Sequence, residues 1–308
     1  MVKFLLKLLL GAFIALIAIR IFIPESPLYK NWISPFTEPL FVDIFDNLKN
    51  KIGKPIIESD NAKFEEQRIN ECAGKVESVS YDQSWYDLKN DRCFRTHISI
   101  DSISICESYN NRINLTINTL DTMSYYHELY RTLVDHDRSS MGDIMQKFKL
   151  ISESQQLGYY DFAEMVITFI QKIPYTLLLR NTASDAIKEG GFSEEYISKK
   201  RGSYVENVKY GIYSPIEFLY YRKGDCDTRT LLAYSMLTYF GYDVAIINSL
   251  SHSMIGINIT AQGKYHLFHG KKYFLWETTS PNWQLGQIPP QLSQDDSWVV
   301  AFPSKNDI

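Results

Sequence analysis

A chain of 308 residues with formal net charge −4, 45% hydrophobic and 22% charged residues has the composition of an ordinary globular protein. That balance excludes a disordered or collagen-like chain, and the lack of a basic excess or a lysine run argues against a nucleic-acid partner. The 21 Tyr and 17 Phe are expected in the core and on sheet surfaces.

The N-terminus differs in kind from the rest. MVKFLLKLLLGAFIALIAIRIFIPESP opens with Lys3 and Lys7, runs apolar from Leu8 to Ile19, meets Arg20 and resumes to Ile23 before Pro24. As a helix, Phe4 to Ile23 spans about 30 Å, the thickness of a bilayer core, with Lys7 and Arg20 near enough to its ends to snorkel. Residues 1–23 are expected to be a transmembrane anchor, with a cleaved signal sequence as the alternative because the uninterrupted core is short. Both readings place the remaining chain outside the cytoplasm, because the lysines favour a cytoplasmic N-terminus.

Residues 24–70 are expected to be a juxtamembrane linker. Within it Leu40, Phe41, Ile44, Phe45, Leu48 and Ile52 share one helical face, suited either to a membrane surface or to packing on the main domain.

Residues 71–155 read as a β/α region. CFRTHISI puts Phe94, Thr96, Ile98 and Ile100 on one side, and SISICES is expected to pair back on it as a hairpin. From about Ile117 the period becomes helical, giving two helices in MSYYHELYRTLVDHD and IMQKFKLISESQQL, separated by the polar turn RSSMGD. Two of Cys72, Cys93 and Cys106 can form a disulfide in an oxidising space, or all three are plain buried thiols. Their spacing does not match a zinc site, and His127 and His136 are expected in packing or solvent positions, with no third ligand beside them.

Residues 156–308 form the second region. A helix begins near Tyr160, with Phe162, Met165, Val166, Phe169 and Ile170 on its inner side, and stops at Pro174. Residues 180–211 are polar and long for a connector, a length often associated with function. A helix from about Cys226 to Phe240 carries an expected stripe of Leu231, Leu232, Ser235, Met236 and Tyr239, with Gly241 as its left-handed stop. Strands are expected at 244–248, 252–260 and 272–279, and YHLF at 265–268 is either a further strand or part of a turn.

Cys226 stands in RKGDCDTRTLLAYSM, with Asp225 as a natural N-cap, so the thiol falls at the first residue of a helix. Unpaired N–H groups at a helix start favour a thiolate and can also receive an oxyanion. The charges of Asp225 and Asp227 oppose the thiolate, so an imidazole partner is required. His252 opens the second strand after the helix, and Glu277 closes a later one. In an antiparallel pair the start of one strand lies beside the end of the other, which can make His252 and Glu277 neighbours. Cys226 as nucleophile, His252 as base and Glu277 as orienting acid are the candidate catalytic residues.

GDCDTRTLLAYSMLTYFGYDVAII, HSMIGINI and KKYFLWETTSPNWQLGQIP together resemble the transglutaminase-like superfamily of papain-like cysteine enzymes, in its microbial, membrane-associated or exported members. The resemblance covers roughly residues 160–290. It rests on Gly224 before Cys226, Gly241-Tyr242 at the helix stop, His252 at a strand start, and Glu277 with Thr279 at a strand end. FIQKIPY and SPIEFLYYRKGDC add to it. It implies an α+β fold: a transglutaminase-like, papain-like core in which the Cys-bearing helix packs on an antiparallel sheet. The β-hairpin, the helical region and the transmembrane helix would precede that core.

Glu277 departs from the Asp of animal transglutaminases by one methylene, which requires a different rotamer or a shifted strand. Exported bacterial relatives bind calcium beside the Cys; Asp225 and Asp227 are similar, but DTR replaces a more acidic run, and no cofactor is assigned. The resemblance also suggests an additional oxyanion donor, for which Gln171 is a candidate, although it reads first as a polar helix-surface residue and stays outside the catalytic set, and a loop around Trp283 that either walls the cleft or covers the core. His266 and His269 are competing bases by sequence alone.

The expected activity is acyl transfer on peptide or isopeptide amides by hydrolysis, with a protein or peptide substrate and a membrane contact through the N-terminal helix. The alternative is a catalytically silent scaffold of the same fold that binds a cell-envelope or protein partner.

Overall fold

The computed structural model describes residues 76–304 apart from Asn90, Leu120, Gln294 and Asp296. The expected anchor, the linker and Cys72 lie outside the described residues. Among the described residues, no helix is long and apolar enough to cross a membrane.

The architecture is α+β, with eight α-helices and a central antiparallel sheet among the described residues. An antiparallel hairpin, β1 (Val79–Tyr86) and β2 (Cys93–Ile100), comes first. Alternation along β2 buries Phe94, Thr96, Ile98 and Ile100 and leaves the other face polar. Trp85 lies opposite Phe94 in the register, with ring centroids 5.6 Å apart, and its indole N–H donates to the Met165 carbonyl at 3.0 Å.

The strand that pairs with β2 is therefore β1. SISICES instead begins helix α1 (Ser102–Asn114), which corrects the expected hairpin. Asp101 decides the matter: its Oδ1 accepts the amides of Ile103 and Ser104 at 3.0 and 2.8 Å, so the Asp-Ser break caps a helix. Cys93 and Cys106 are free thiols, Cys93 exposed and Cys106 partly buried.

Helices α2 (Thr122–Asp137), α3 (Gly142–Gln155) and α4 (Tyr159–Lys172) follow. The stretch expected as a polar connector is built of short pieces. Strands β3 (Thr176–Leu178) and β4 (Ser203–Val205) pair in parallel around helices α5 (Ala183–Glu189) and α6 (Gly191–Ser198). Helix α7 (Pro215–Tyr221) is started by a capping box between Ser214 and Glu217, with Pro215 in its first turn.

Helix α8 (Cys226–Tyr239) is buried on all sides from Thr228 to Leu237. It packs against α4, α7, α2 and the strands β5 (Val244–Asn248) and β6 (Ser253–Ile257). That explains why no single apolar stripe describes it. Tyr239, expected in the stripe, is 50% exposed in the last turn of the helix. Gly241, at φ 81°, takes the left-handed turn that ends the helix.

The main sheet runs in the order β7 (Tyr265–Phe268), β8 (Lys271–Trp276), β6, β5, β9 (Val299–Phe302), with every neighbour antiparallel. VAIIN of β5 is buried on both faces. Val244 and Ile246 join the core around α8, while Ala245 and Ile247 pack with Tyr273 and Leu275 on the opposite side. A single core cluster extends from Trp85 to Phe302, continuous across residues 155 and 156.

A polar knot lies inside that core. Arg112 of α1 meets Glu217 of α7 in two contacts, Nε–Oε2 at 2.7 Å and Nη2–Oε1 at 2.8 Å, with both side chains almost fully buried. Asp137 of α2 accepts the Ile216 amide at 2.8 Å and the Ser108 hydroxyl at 3.0 Å. These bonds fix the N-terminal helices to the segment that delivers Gly224 and Cys226.

Candidate active site

Three elements converge at one end of the central sheet. The first is the start of α8. Asp225 takes the N-cap position, its Oδ1 accepting from the Thr228 amide at 3.5 Å and its Oδ2 from the Leu178 amide at 3.2 Å. The second carboxyl contact ties the helix start to β3. Cys226 is thus the first helical residue, partly exposed to a cavity of about 520 Å³.

The second and third elements are the residues just outside β6 and β8. Ile255 pairs with Trp276, so the residue before β6 and the residue after β8 emerge at the same end of the sheet. His252 Nε2 lies 2.7 Å from Glu277 Oε2. The other oxygen, Oε1, accepts from the Thr279 amide at 2.8 Å and the Thr279 hydroxyl at 2.7 Å. Glu277 is thereby held at both ends despite its extra methylene. Burial works to raise this carboxyl, but the His252 hydrogen bond and charge and the two Thr279 bonds bring it below the usual carboxylate value. With Nε2 engaged, Nδ1 is the ring nitrogen left for another partner, and His252 lines the same cavity as Cys226.

The thiol itself points to a different group. Cys226 Sγ donates to Asp227 Oδ1 at 3.4 Å. Burial first, then the charges of Asp227 and Asp225, push the thiol well above its ordinary value; the backbone amide of Ser253 acts in the opposite direction. Burial and the neighbouring Asp227 raise Asp225 to about 8. Asp227 is raised chiefly by burial, against the opposing effects of the thiol hydrogen bond, His252 and Arg180.

The cavity wall opposite the sheet comes from residues 177–181, 189–193 and 210–211, together with Tyr126 and Tyr175. The polar stretch therefore supplies the cleft's far side. Gly190 and Gly191, at φ 82° and 75°, form the left-handed joint between α5 and α6 at its edge.

Arg229 gave no sign of itself in the sequence beyond being a cation inside an apolar helix. It is fully buried and donates to backbone carbonyls: Nε to Gly224 at 3.0 Å, Nη1 to Ile170 at 2.8 Å and Thr278 at 3.0 Å, and Nη2 to Ile173. One guanidinium joins the end of α4, the turn before Cys226 and the segment after Glu277. Burial lowers its pKa to about 10, against the charges of Tyr175, Asp225, Glu277 and Cys226.

Gln171 does not face the cleft. Its Nε2 donates to the carbonyls of Glu277 at 2.7 Å and Trp283 at 3.1 Å, so the amide braces the segment behind the carboxylate and its N–H groups are occupied there. Trp283 accepts the Trp276 indole N–H on the same carbonyl at 2.8 Å and is absent from the cavity lining. His266 lies in edge strand β7, and His269 stacks on Phe268 in the following turn; neither lines the cavity. His127 packs edge-on against Phe302, and His136 meets Asp137 Oδ1 at 3.1 Å. Among the described residues, no group of three or more His, Cys, Asp or Glu side chains is placed to hold a metal ion.

No family model matches this chain, and no curated protein or solved structure does either. The site is read on its own geometry.

Proposed function

We propose that the chain is a membrane-anchored, extracytoplasmic cysteine enzyme of transglutaminase-like type that hydrolyses peptide or isopeptide amides. The observation that carries this reading is the 2.7 Å pair of His252 and Glu277 on the wall of the cavity that also receives Cys226. A carboxylate on Nε2 orients the ring and leaves Nδ1 to take a proton.

In the proposed reaction the Cys226 S–H proton passes to His252 Nδ1, and the sulfur attacks the amide carbon. Amides at the start of α8 receive the oxyanion, since first-turn N–H groups lack intrahelical acceptors. His252 returns the proton to the departing nitrogen as the C–N bond breaks, leaving a thioester. Water then loses a proton to His252 and attacks the thioester carbon, and Cys226 leaves and is reprotonated.

Mass spectrometry of acid-quenched reactions with a peptide-amide library tests the reading. An acyl adduct confined to Cys226 and lost in Cys226→Ala supports it. Amide turnover that persists in Cys226→Ala contradicts it.

The second reading, a silent scaffold, is favoured by one observation: the thiol is bonded to a carboxylate and held in its protonated form. It predicts no adduct from any amide in the same experiment.

A further inference from the structure

Cys226, Asp227 and His252 line one cavity, and the thiol's hydrogen bond goes to the acid. Asp227 Oδ1 accepts the S–H at 3.4 Å, while the bond that His252 makes goes to Glu277. Asp227 belongs to the first turn of α8, immediately after the thiol, and both side chains line the cavity. Its companion Asp225 is committed elsewhere, with one oxygen on the Leu178 amide and the other on the Thr228 amide. The two carboxyls flanking the thiol therefore have different tasks: Asp225 builds the helix start, and Asp227 engages the sulfur.

We propose that Asp227 is a holding residue for the thiol, a positioning group whose carboxylate keeps the Cys226 proton on sulfur and turned away from His252 until the cavity is occupied. This inference rests on the reading of Cys226 and His252 as nucleophile and base, and it adds a regulation to that pair. In the resting site the S–H hydrogen bond runs to Asp227. Entry of a ligand that engages Asp227, or protonation of Asp227, which cancels its charge, weakens that hold. The S–H then turns about the Cys226 side-chain bonds toward Nδ1, the ring nitrogen that Glu277 leaves available. The proton moves from sulfur to Nδ1, and the thiolate remains beside the Ser253 amide, which favours the anion.

Other charged and titratable groups face this pair. From α2, Tyr126 and Tyr130 act on both Asp227 and Cys226, and Tyr125 interacts with Asp227. Tyr175 faces Cys226 and both aspartates from the segment before β3. Arg180 and His252 oppose the rise of Asp227, and Arg229 lies within reach of the Cys226 charge from the same helix. The tyrosines are raised by burial, so they stay neutral and do not replace Asp227 as the anion beside the sulfur.

The test is the pH dependence of Cys226 alkylation by iodoacetamide, followed by peptide mass spectrometry on the full chain for wild type, Asp227→Asn and Asp227→Ser. Removing a like charge this close to the sulfur moves the alkylation midpoint to lower pH and raises the rate below it about tenfold or more. Asp227→Glu, which restores the charge, returns the profile toward wild type. A midpoint in Asp227→Asn or Asp227→Ser that stays put or rises overturns the proposal. If both neutral variants fail to fold, the S–H infrared band of the wild type decides. A band abolished by Cys226→Ala and displaced to lower frequency than those of the other thiols supports the holding contact; an undisplaced band refutes it. Parallel profiles of Asp227→Asn with and without His252→Ala keep the two ideas apart. An unchanged profile there removes the proposed base while leaving the Asp227 result to be read independently.

Discussion

Glu277 divides its carboxylate between two tasks, giving Oε2 to His252 Nε2 at 2.7 Å and Oε1 to the amide and hydroxyl of Thr279. The Thr279 contacts fix the carboxyl independently of the histidine, so the imidazole docks onto a group that is already placed. Gln171 and Arg229 brace the same segment from behind through the carbonyls of Glu277 and Thr278.

Replacing Glu277 by Gln keeps the shape and removes the charge. An amide N–H facing Nε2 forces the ring proton onto Nδ1, the nitrogen that accepts the thiol proton in the proposed reaction. Turnover of a cleavable amide is expected to fall on the order of 10³–10⁴-fold. Steady-state kinetics beside a thermal melt checks this; a folded variant with near-wild-type kcat/KM would remove Glu277 from the mechanism.

Arg229→Met leaves carbonyls of Gly224, Ile170, Ile173 and Thr278 without their buried donor. The loss is expected to be about 3–5 kcal/mol, since the carbonyls lose buried charge-assisted bonds, although those of Gly224 and Ile170 keep the amides of Thr176 and Ile173. Urea unfolding measures it. Because the guanidinium links the turn before Cys226 to the segment after Glu277, any folded fraction should also lose the proposed amide turnover.

Breaking the Arg112–Glu217 pair on one side strands a buried charge. Glu217→Gln is expected to cost about 3–5 kcal/mol, whereas the double change to Met at both positions recovers much of that loss. A double-mutant cycle in urea distinguishes the pair from two independent losses.

Asp225 ties pH to stability with a definite sign. Burial raises its folded pKa to about 8, against about 3.9 in an unfolded chain. Between those values the folded state holds more protons than the unfolded one, so stability falls as pH rises from about 4 to about 8 and is flat beyond. Asp225→Asn retains a capping oxygen and should flatten that slope. Chemical unfolding at intervals across this window supplies the check, and an equally steep decline in the variant would contradict the assignment.

Much of the site was legible because it is built from local signals. An N-cap before Cys226, a histidine before a strand and an acid after one are short-range features, and antiparallel pairing brings the last two together. The β2 alternation was legible for the same reason. SISICES was misread because its apolar residues suit either period, and the deciding contact is a side chain, Asp101, accepting two amides. Tyr239 fits the helical spacing yet stands half-exposed in the last turn, since burial depends on which neighbours cover a position and not on its spacing.

The remainder depends on distant partners. Arg229 and Arg112 carry no pattern that announces burial, because their partners are backbone carbonyls or an acid far along the chain. The far wall of the cavity, from 177–181 and 189–193, was visible only as an unusually long polar stretch. The bond from the thiol to Asp227 is a side-chain contact that residue spacing does not determine.

The central claim is that His252 activates Cys226. Its most direct measurement is the iodoacetamide rate at Cys226 with the Asp227 hold removed, in Asp227→Asn and in Asp227→Asn/His252→Ala, with the exposed thiol of Cys93 in the same molecule as internal reference. The account predicts that the Cys226-to-Cys93 rate ratio at neutral pH drops on the order of tenfold or more when the imidazole is removed. An unchanged ratio in a folded variant would contradict it.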